Sequence, residues 1–312
     1  MTKNLNKITD LFPREIEHLI KEAFDYKHKA DKGVRKENLH EGSVVALIFE
    51  KASLRTKSAF EIATAYFGGT PVYLSSQQIL ASGQNEKGRE SIPDIAKNLE
   101  RYADLIFARV YSHQTIQTIA KSVKKPVLNG LCDEHHPTQA LADLMAIRWH
   151  KAKKKVKVAF IGDGNNVATS LMHVCTMTGI DFAIASPKGY EIPENEQAIG
   201  KKWSNKNKSS LKFYSDPKEA LKGADVVYTD TFVSMGQEAE KEKRLKIFEK
   251  YQVNAELMKA AKIDAIFMHC LPAHRGEEVT DEVMDGPQSI VFDQAECRLH
   301  IAKALIHFYL SL

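Results

Sequence analysis

The feature that most constrains this chain is an alternation. Short, uninterrupted apolar runs are separated by stretches of helical periodicity along most of its length. The run Ser43–Phe49 (SVVALIF) is apolar after its first residue, the mark of a strand buried on both faces of a parallel sheet. Pro71–Leu74, Asp104–Val110, Pro126–Asn129, Val156–Ile161, Asp181–Ser186, Val226–Thr229, Ala265–His269 and Ser289–Phe292 read as further strands. Phe12–Tyr26 reads as an amphipathic helix, with Leu11, Ile16, Leu19, Ile20 and Phe24 near helical spacing. Ser53–Phe67 (ending at Gly68-Gly69), Ile92–Tyr102, Gln139–His150, Ala168–Thr178 and Ala295–Leu310 are the other predicted helices. Such a pattern predicts an α/β fold of parallel sheets flanked by helices and joined by right-handed crossovers. In that architecture ligands bind just beyond the C-terminal ends of the strands, so functional residues should directly follow apolar runs.

A chain of 312 residues is comfortable for two such domains of roughly 150 residues each. The divisions fall at 1–150, 151–294 and 295–312. The last segment is a helix with no strand after it, and it is expected to pack back on the first domain. The basic run Lys151–Lys157 (KAKKKVK) leads straight into VAFIG and reads as a solvated turn before a strand. A nucleic-acid surface needs more clustered basic residues with interleaved aromatics. A formal charge of +4, with 43% hydrophobic and 27% charged residues, is ordinary for a soluble protein and suits an anionic substrate. No apolar run approaches the ~20 residues of a membrane span. Met1–Asp10 lacks an apolar signal core, so a cytoplasmic protein without membrane or nucleic-acid partners is expected. Cys132, Cys175, Cys270 and Cys297 are widely spaced and include no C-x-x-C pair, which argues against a disulfide framework or a zinc site. Cys132, Cys175 and Cys297 read as buried small hydrophobes.

Chemistry concentrates at the strand ends. After SVVALIF comes Glu50-Lys51-Ala52-Ser53-Leu54-Arg55-Thr56-Lys57, then a helix. Backbone N–H groups and the helix dipole favour an anion at such a turn. Ser53 and Thr56 can donate hydrogen bonds, and Arg55 can grip two phosphate oxygens as a fork. The nucleotide P-loop pattern is absent. Arg109 closes the strand DLIFARV, and His136 and Gln139 flank Pro137 at a helix start, where proline is favoured. Each feature alone has a bland reading: an N-cap serine, an arginine on a sheet rim, a structural histidine. Together, at the strand ends of one domain, they describe an oxyanion site.

SLRTK at 53–57, Arg109 and HPTQ at 136–139 resemble the carbamoyl phosphate site of the aspartate/ornithine carbamoyltransferase superfamily. The second half carries Asp230-Thr231-Phe232-Val233-Ser234-Met235-Gly236 and, at 269–276, HCLPAHRG. Both resemble the ornithine branch, and the likeness runs in order over nearly the whole chain. It implies that Ser53, Arg55, Thr56 and the backbone of Leu54 hold the phosphate. Arg109, His136 and Thr56 would contact the carbamoyl oxygen, Gln139 the nitrogen, and Arg298 would reach the same ligand from the terminal helix. Asn166 would bind the carboxylate side of ornithine and Asp230 its α-ammonium. Ser234 and Met235 would close over it, with Cys270 and the Leu271 carbonyl beside the reacting amine. The resemblance also implies a homotrimer or higher multiple with shared active sites, completed by a neighbour's glutamine. Gln84 is the choice by chemistry, although Asn85 has the usual spacing. Leu54, Lys57 and Cys297 depart from the family pattern.

The implied reaction is acyl transfer to an amine, in which cationic and N–H donors stabilise charge growing on the carbonyl oxygen. Arg55, Arg109, His136 and Cys270 are the expected catalytic set, with Cys270 orienting and not attacking. Neither a cofactor nor a metal is implied. Gly162-x-Gly164 after a strand offers a rival, a dinucleotide site, but the third glycine is missing and Asn165 and Asn166 crowd the turn. The residues also admit a non-catalytic binding protein, or a transferase acting on putrescine, N-acetylornithine or aspartate.

Overall fold

The computed structural model describes residues 3–75, 90–152, 155–233 and 238–312. The chain divides into two compact units, Met1–Ala142 with Glu296–Leu312, and Asp143–Ala295.

The first unit is built on strands β1 (Val44–Phe49), β2 (Thr70–Ser75), β3 (Leu105–Arg109) and β4 (Val127–Leu131). All pair in parallel, in the order β2-β1-β3-β4. The central strands β1 and β3 are the most apolar because both their faces are covered. Edge strand β2 tolerates Pro71, whose missing N–H would break a central ladder. The other edge, β4, is capped by Leu5, which donates to Val127 O (2.9 Å) and accepts from Asn129 N (2.8 Å). That bridge satisfies backbone groups an exposed edge would offer to another chain. Gly130 in β4 is required by close approach, since a Cβ there would penetrate the Phe107 ring.

Helices α1 (Pro13–Asp31), α2 (Leu54–Tyr66), α3 (Ile92–Tyr102) and α4 (His113–Ser122) complete most of this unit. Helix α1 starts at Pro13, the favoured first position, and buries Ile16, Leu19, Ile20, Ala23 and Tyr26. It runs five residues past the expected end, to Asp31, through a polar last turn in which Lys27 pairs with Asp31 (3.2 Å).

Helix α5 (Pro137–His150) supplies residues to both units. The second unit holds β5 (Lys157–Ile161), β6 (Asp181–Ala185), β7 (Leu211–Tyr214), β8 (Val226–Thr229) and β9 (Ile266–His269), parallel in the order β7-β6-β5-β8-β9. Helices α6 (Asn166–Met177), α7 (Glu194–Asn207) and α8 (Lys241–Phe248) belong to it. Phe232, Phe248, Val253, Phe267 and Val279 are among the buried side chains of its core.

Helix α9 (Val291–Leu310) ends the fold. Its residues from Glu296 onward pack on the first unit, as expected for the terminal helix. There His307 Nδ1 lies 2.8 Å from His40 Nε2, and Lys303 Nζ sits 3.8 Å over the Tyr66 ring.

Among the strands, the structure departs from the expected pattern at two places. Ser289–Phe292 is not a strand: Ser289 makes one isolated bridge to Phe267, and Val291 already begins α9. A short apolar run cannot be told from the first turn of a buried helix by periodicity alone. Strand β7 has no counterpart among the predicted strands. It is an edge strand whose residues are only partly buried, so its sequence, LKFY, carries no continuous apolar signal.

Candidate active site

In the first unit the parallel order brings the C-terminal ends of β1, β3 and β4 side by side. Glu50 N donates to Arg109 O (2.9 Å), which ties the loop after β1 to the end of β3. The β3–β4 register shifts between Ala108 and Arg109, an irregularity of the kind that re-aims a side chain at a site. Arg109 donates through one terminal nitrogen to Ser53 Oγ (3.0 Å) and to Thr56 Oγ1 (3.2 Å). Ser53 is the N-cap residue of α2, but its side chain makes no capping bond. A helix start of this kind presents backbone donors that can meet an anion. Leu54 is 79% exposed and Arg55 half-buried at this same start.

His136 and Gln139 lie where the β4-to-α5 turn enters its helix. His136 O accepts from Gln139 N and Ala140 N, both at 3.2 Å, so Pro137 occupies the first helical position as the sequence implies. Arg298, from α9, joins these parts. It donates to Thr56 Oγ1 (2.8 Å) and to Gln139 Oε1, and lies 3.4 Å from His136 Nε2. Thr56, His136, Gln139 and Arg298 are all buried. Burial, then the positive fields of Arg298, Arg109 and Arg55, hold the His136 imidazole well below the usual histidine range. His136 is therefore neutral, Arg109 and Arg298 meet at the Thr56 hydroxyl, and Arg55 lies near enough for its charge to act on the His136 ring. Cations packed together in a shielded site repel unless an anion joins them. The cluster is complementary to a small, multiply charged oxyanion.

In the second unit, Asp230 directly follows β8 and Cys270 directly follows β9. The Cys270 thiol donates to Asp230 Oδ1 (2.9 Å), and Asn165 Nδ2 donates to Asp230 Oδ2 (2.8 Å). Asn165 also caps α6, accepting from Val167 N and Ala168 N. Asn166 is half-buried on the first turn of the same helix, its Oδ1 accepting from Val167 N (2.9 Å). Beyond Cys270, Leu271 N donates to His269 Nδ1 (2.8 Å), and His269 Nε2 lies 3.2 Å from Glu278 Oε1. The fully buried Glu278 carboxylate also accepts from His274 N, so it fixes the segment carrying Cys270 and Leu271. Sequence reasoning misses Asn165, His269 and Glu278 as contributors. Only Asn165 carries a signal, an asparagine just before a helix. The other two act through tertiary contacts.

Gln84, Asn85, Ser234 and Met235 lie outside the described residues. Gly164 has a packing reason that needs no nucleotide: a Cβ there would run into the backbone of Glu191 and Ile192. Among the described residues, the groups whose atoms could hold a metal include Asp230, His269 and Cys270, and His113, Glu134 and His135. No helix among the described residues is long and apolar enough to cross a membrane.

Comparison with known proteins agrees with this arrangement. Residues 3–149 match the family described as aspartate/ornithine carbamoyltransferase, carbamoyl-P binding domain. Residues 154–309 match the Asp/Orn binding domain of the same family. The chain is 47% identical over 306 residues to the ornithine carbamoyltransferase of Bacillus subtilis, covering 97% of this chain and 92% of that protein. The solved ornithine carbamoyltransferase of Pyrococcus furiosus superposes with a TM-score of 0.94 at 45% identity, covering 99% of this chain and 97% of that one. An anabolic ornithine carbamoyltransferase from Campylobacter jejuni superposes with a TM-score of 0.92 at 36% identity, with 99% of each chain covered. The chain belongs to the aspartate/ornithine carbamoyltransferase family.

Proposed function

We propose that this chain transfers the carbamoyl group of carbamoyl phosphate to the side-chain amine of L-ornithine, giving L-citrulline and phosphate in arginine metabolism. One observation carries most weight: Arg109 and Arg298 both donate to Thr56 beside a neutral His136, at the Ser53–Thr56 helix start, with the charge of Arg55 close enough to act on that imidazole.

The chemistry follows from those groups. Ser53, Arg55, Thr56 and the Leu54 N–H hold the phosphate. Arg109, His136 and Thr56 contact the carbamoyl oxygen, where negative charge grows as the amine attacks, and Arg298 reaches the same ligand. Donors held in place before the reaction stabilise that charge without reorganising, and losing one typically costs ~10²–10³ in turnover. Because His136 is neutral, its contribution is a hydrogen bond, not a third positive charge. Gln139 contacts the carbamoyl nitrogen. Asp230 pairs with the α-ammonium of ornithine and Asn166 with its carboxylate side, while Ser234 and Met235 close over it. Cys270 donates its thiol hydrogen to Asp230 (2.9 Å). With the Leu271 carbonyl it orients the δ-amine. Phosphate, as it leaves, takes the proton. Holding both substrates in attack geometry supplies a further large term, up to ~7–11 kcal/mol in model systems. Active sites completed between copies, with Gln84 from a neighbour, would make the working form a trimer or higher multiple in the cytoplasm.

The test is a substrate panel: ornithine, putrescine, N-acetylornithine and aspartate, each with carbamoyl phosphate. Citrulline should form from ornithine with much the highest kcat/KM. Efficient turnover of another acceptor, without citrulline, would overturn the assignment.

A further inference from the structure

The turn from β4 into α5 carries side chains that carbamoyl transfer does not use. His113, the first residue of α4, and His135 are 6% and 1% exposed. Their ring centres are 5.0 Å apart, with an interplanar angle of 75°. Glu134 has a side chain that is 59% exposed, with Oε2 3.9 Å from His135 Nε2. One ligand-type atom from each of His113, Glu134 and His135 lies within 4.8 Å of the others.

Buried histidines often pack together for no further reason, but several features set this pair apart. The first is geometry. Zinc bound to two imidazole nitrogens at about 2.0–2.1 Å in a tetrahedral site holds the ring centres roughly 5 Å apart. The second is the outer partner. His113 Nδ1 lies 3.3 Å from Cys132 Sγ, and that sulfur lies 3.6 Å from His135 O. If Nδ1–H donates to the sulfur and the thiol hydrogen goes on to the carbonyl, the Nε2 lone pair remains for a metal. Metal-ligating histidines are typically oriented by such a bond on the other nitrogen. The third is charge. Asp133 Oδ1 accepts from His113 N (2.7 Å), and Asp10 is close enough for its carboxylate to feel the His113 ring.

We propose that His113, Glu134 and His135 form a binding site for a divalent metal ion of the zinc type, with water as fourth ligand. Nitrogen and oxygen ligands of this kind suit zinc and its neighbours rather than magnesium. Ligand atoms around tetrahedral zinc are about 3.3 Å apart. The exposed Glu134 side chain is the one that swings in to close the site. Glu134 and His135 immediately precede His136, so a bound ion clamps the turn that carries the neutral imidazole.

The experiment uses the full chain, stripped of metal with a chelator, then titrated with Co(II) and Zn(II) under equilibrium dialysis. One tight zinc equivalent is expected, together with a rise in Tm. The cobalt form should show tetrahedral visible bands and no thiolate charge-transfer band. His113→Ala and Glu134→Gln should each weaken zinc binding at least tenfold. Cys270→Ser should leave that equivalent in place, which separates it from the Asp230, His269 and Cys270 group. Glu134→Gln alters an exposed side chain, so it answers the question even if His113→Ala folds poorly. Absence of a tight equivalent would overturn the proposal. So would binding that both variants leave unchanged, or binding that Cys270→Ser abolishes.

Discussion

Replacing Arg298 by methionine tests the central reading most directly. Methionine keeps much of the length and volume of the side chain but removes its charge and donors. In the protein, Arg298 donates to Thr56 and Gln139 and sits against His136. Its loss has opposing effects on the unliganded fold. Buried polar atoms on Thr56 and Gln139 lose a donor, each costing about 1–3 kcal/mol. Against this, repulsion with Arg55 and Arg109 is relieved, so the net change in stability should be small. Binding has no such compensation. One charge-assisted hydrogen bond to an anion is worth about 1.5–3 kcal/mol, and 1.4 kcal/mol is tenfold in affinity. Arg298→Met should therefore lower kcat/KM for carbamoyl phosphate by roughly 10–150-fold, with a much smaller change in KM for ornithine. Steady-state citrulline assays with each substrate varied in turn, alongside a thermal melt, read both quantities. The imidazole pKa of His136 should also rise in the variant, because its nearest positive neighbour is gone. Proton NMR titration measures that directly. A folded variant whose kcat/KM for carbamoyl phosphate stays within about threefold of the parent would refute the argument.

Other expectations follow from the same contacts. Asp230→Asn removes the charge held by Asn165 and Cys270. It should raise KM for ornithine ten- to a hundredfold, on the order of 1.5–3 kcal/mol for a charged pair, while a phosphate titration of the free protein is unchanged. Burial pushes the ammonium of Lys303 down to about 8, with Arg35 adding repulsion. Charging it thus costs stability below that pH. From about pH 8 to about 10.5 the unfolded chain holds the proton and the folded one has lost it, so stability gains with rising pH. Lys303→Met should be more stable than the parent at pH 7, and denaturant midpoints should show the gap narrowing toward pH 10. Gly130→Ala forces a methyl group into the Phe107 ring. Overpacking of this kind costs about 1–3 kcal/mol, and urea unfolding should show a loss of that size.

The two-sheet α/β design was legible in the sequence because strands covered on both faces must be apolar throughout. Ser43–Phe49 and Asp104–Val110 announce β1 and β3 without any tertiary knowledge. Part of the candidate site was legible for the same reason: Arg109 ends a strand, and Ser53, Arg55, His136, Asp230 and Cys270 follow strands, where parallel topology collects ligands. Strand β7 was hidden because an edge strand need not be continuously apolar. Ser289–Phe292 misled because a few apolar residues satisfy a strand and a helix start equally well.

What the sequence determined alone was therefore local: the alternation of elements, the helix start at Pro137, and the chemical types placed at strand ends. Only the tertiary structure decided which of them meet. Arg298 lies 242 positions from the hydroxyl of Thr56 to which it donates. The electrostatic consequence, an uncharged His136 among arginines, exists only once those residues share a buried volume. Periodicity is a property of neighbours along the chain, whereas a proton's affinity for a site depends on every charge and every displaced water around it in space.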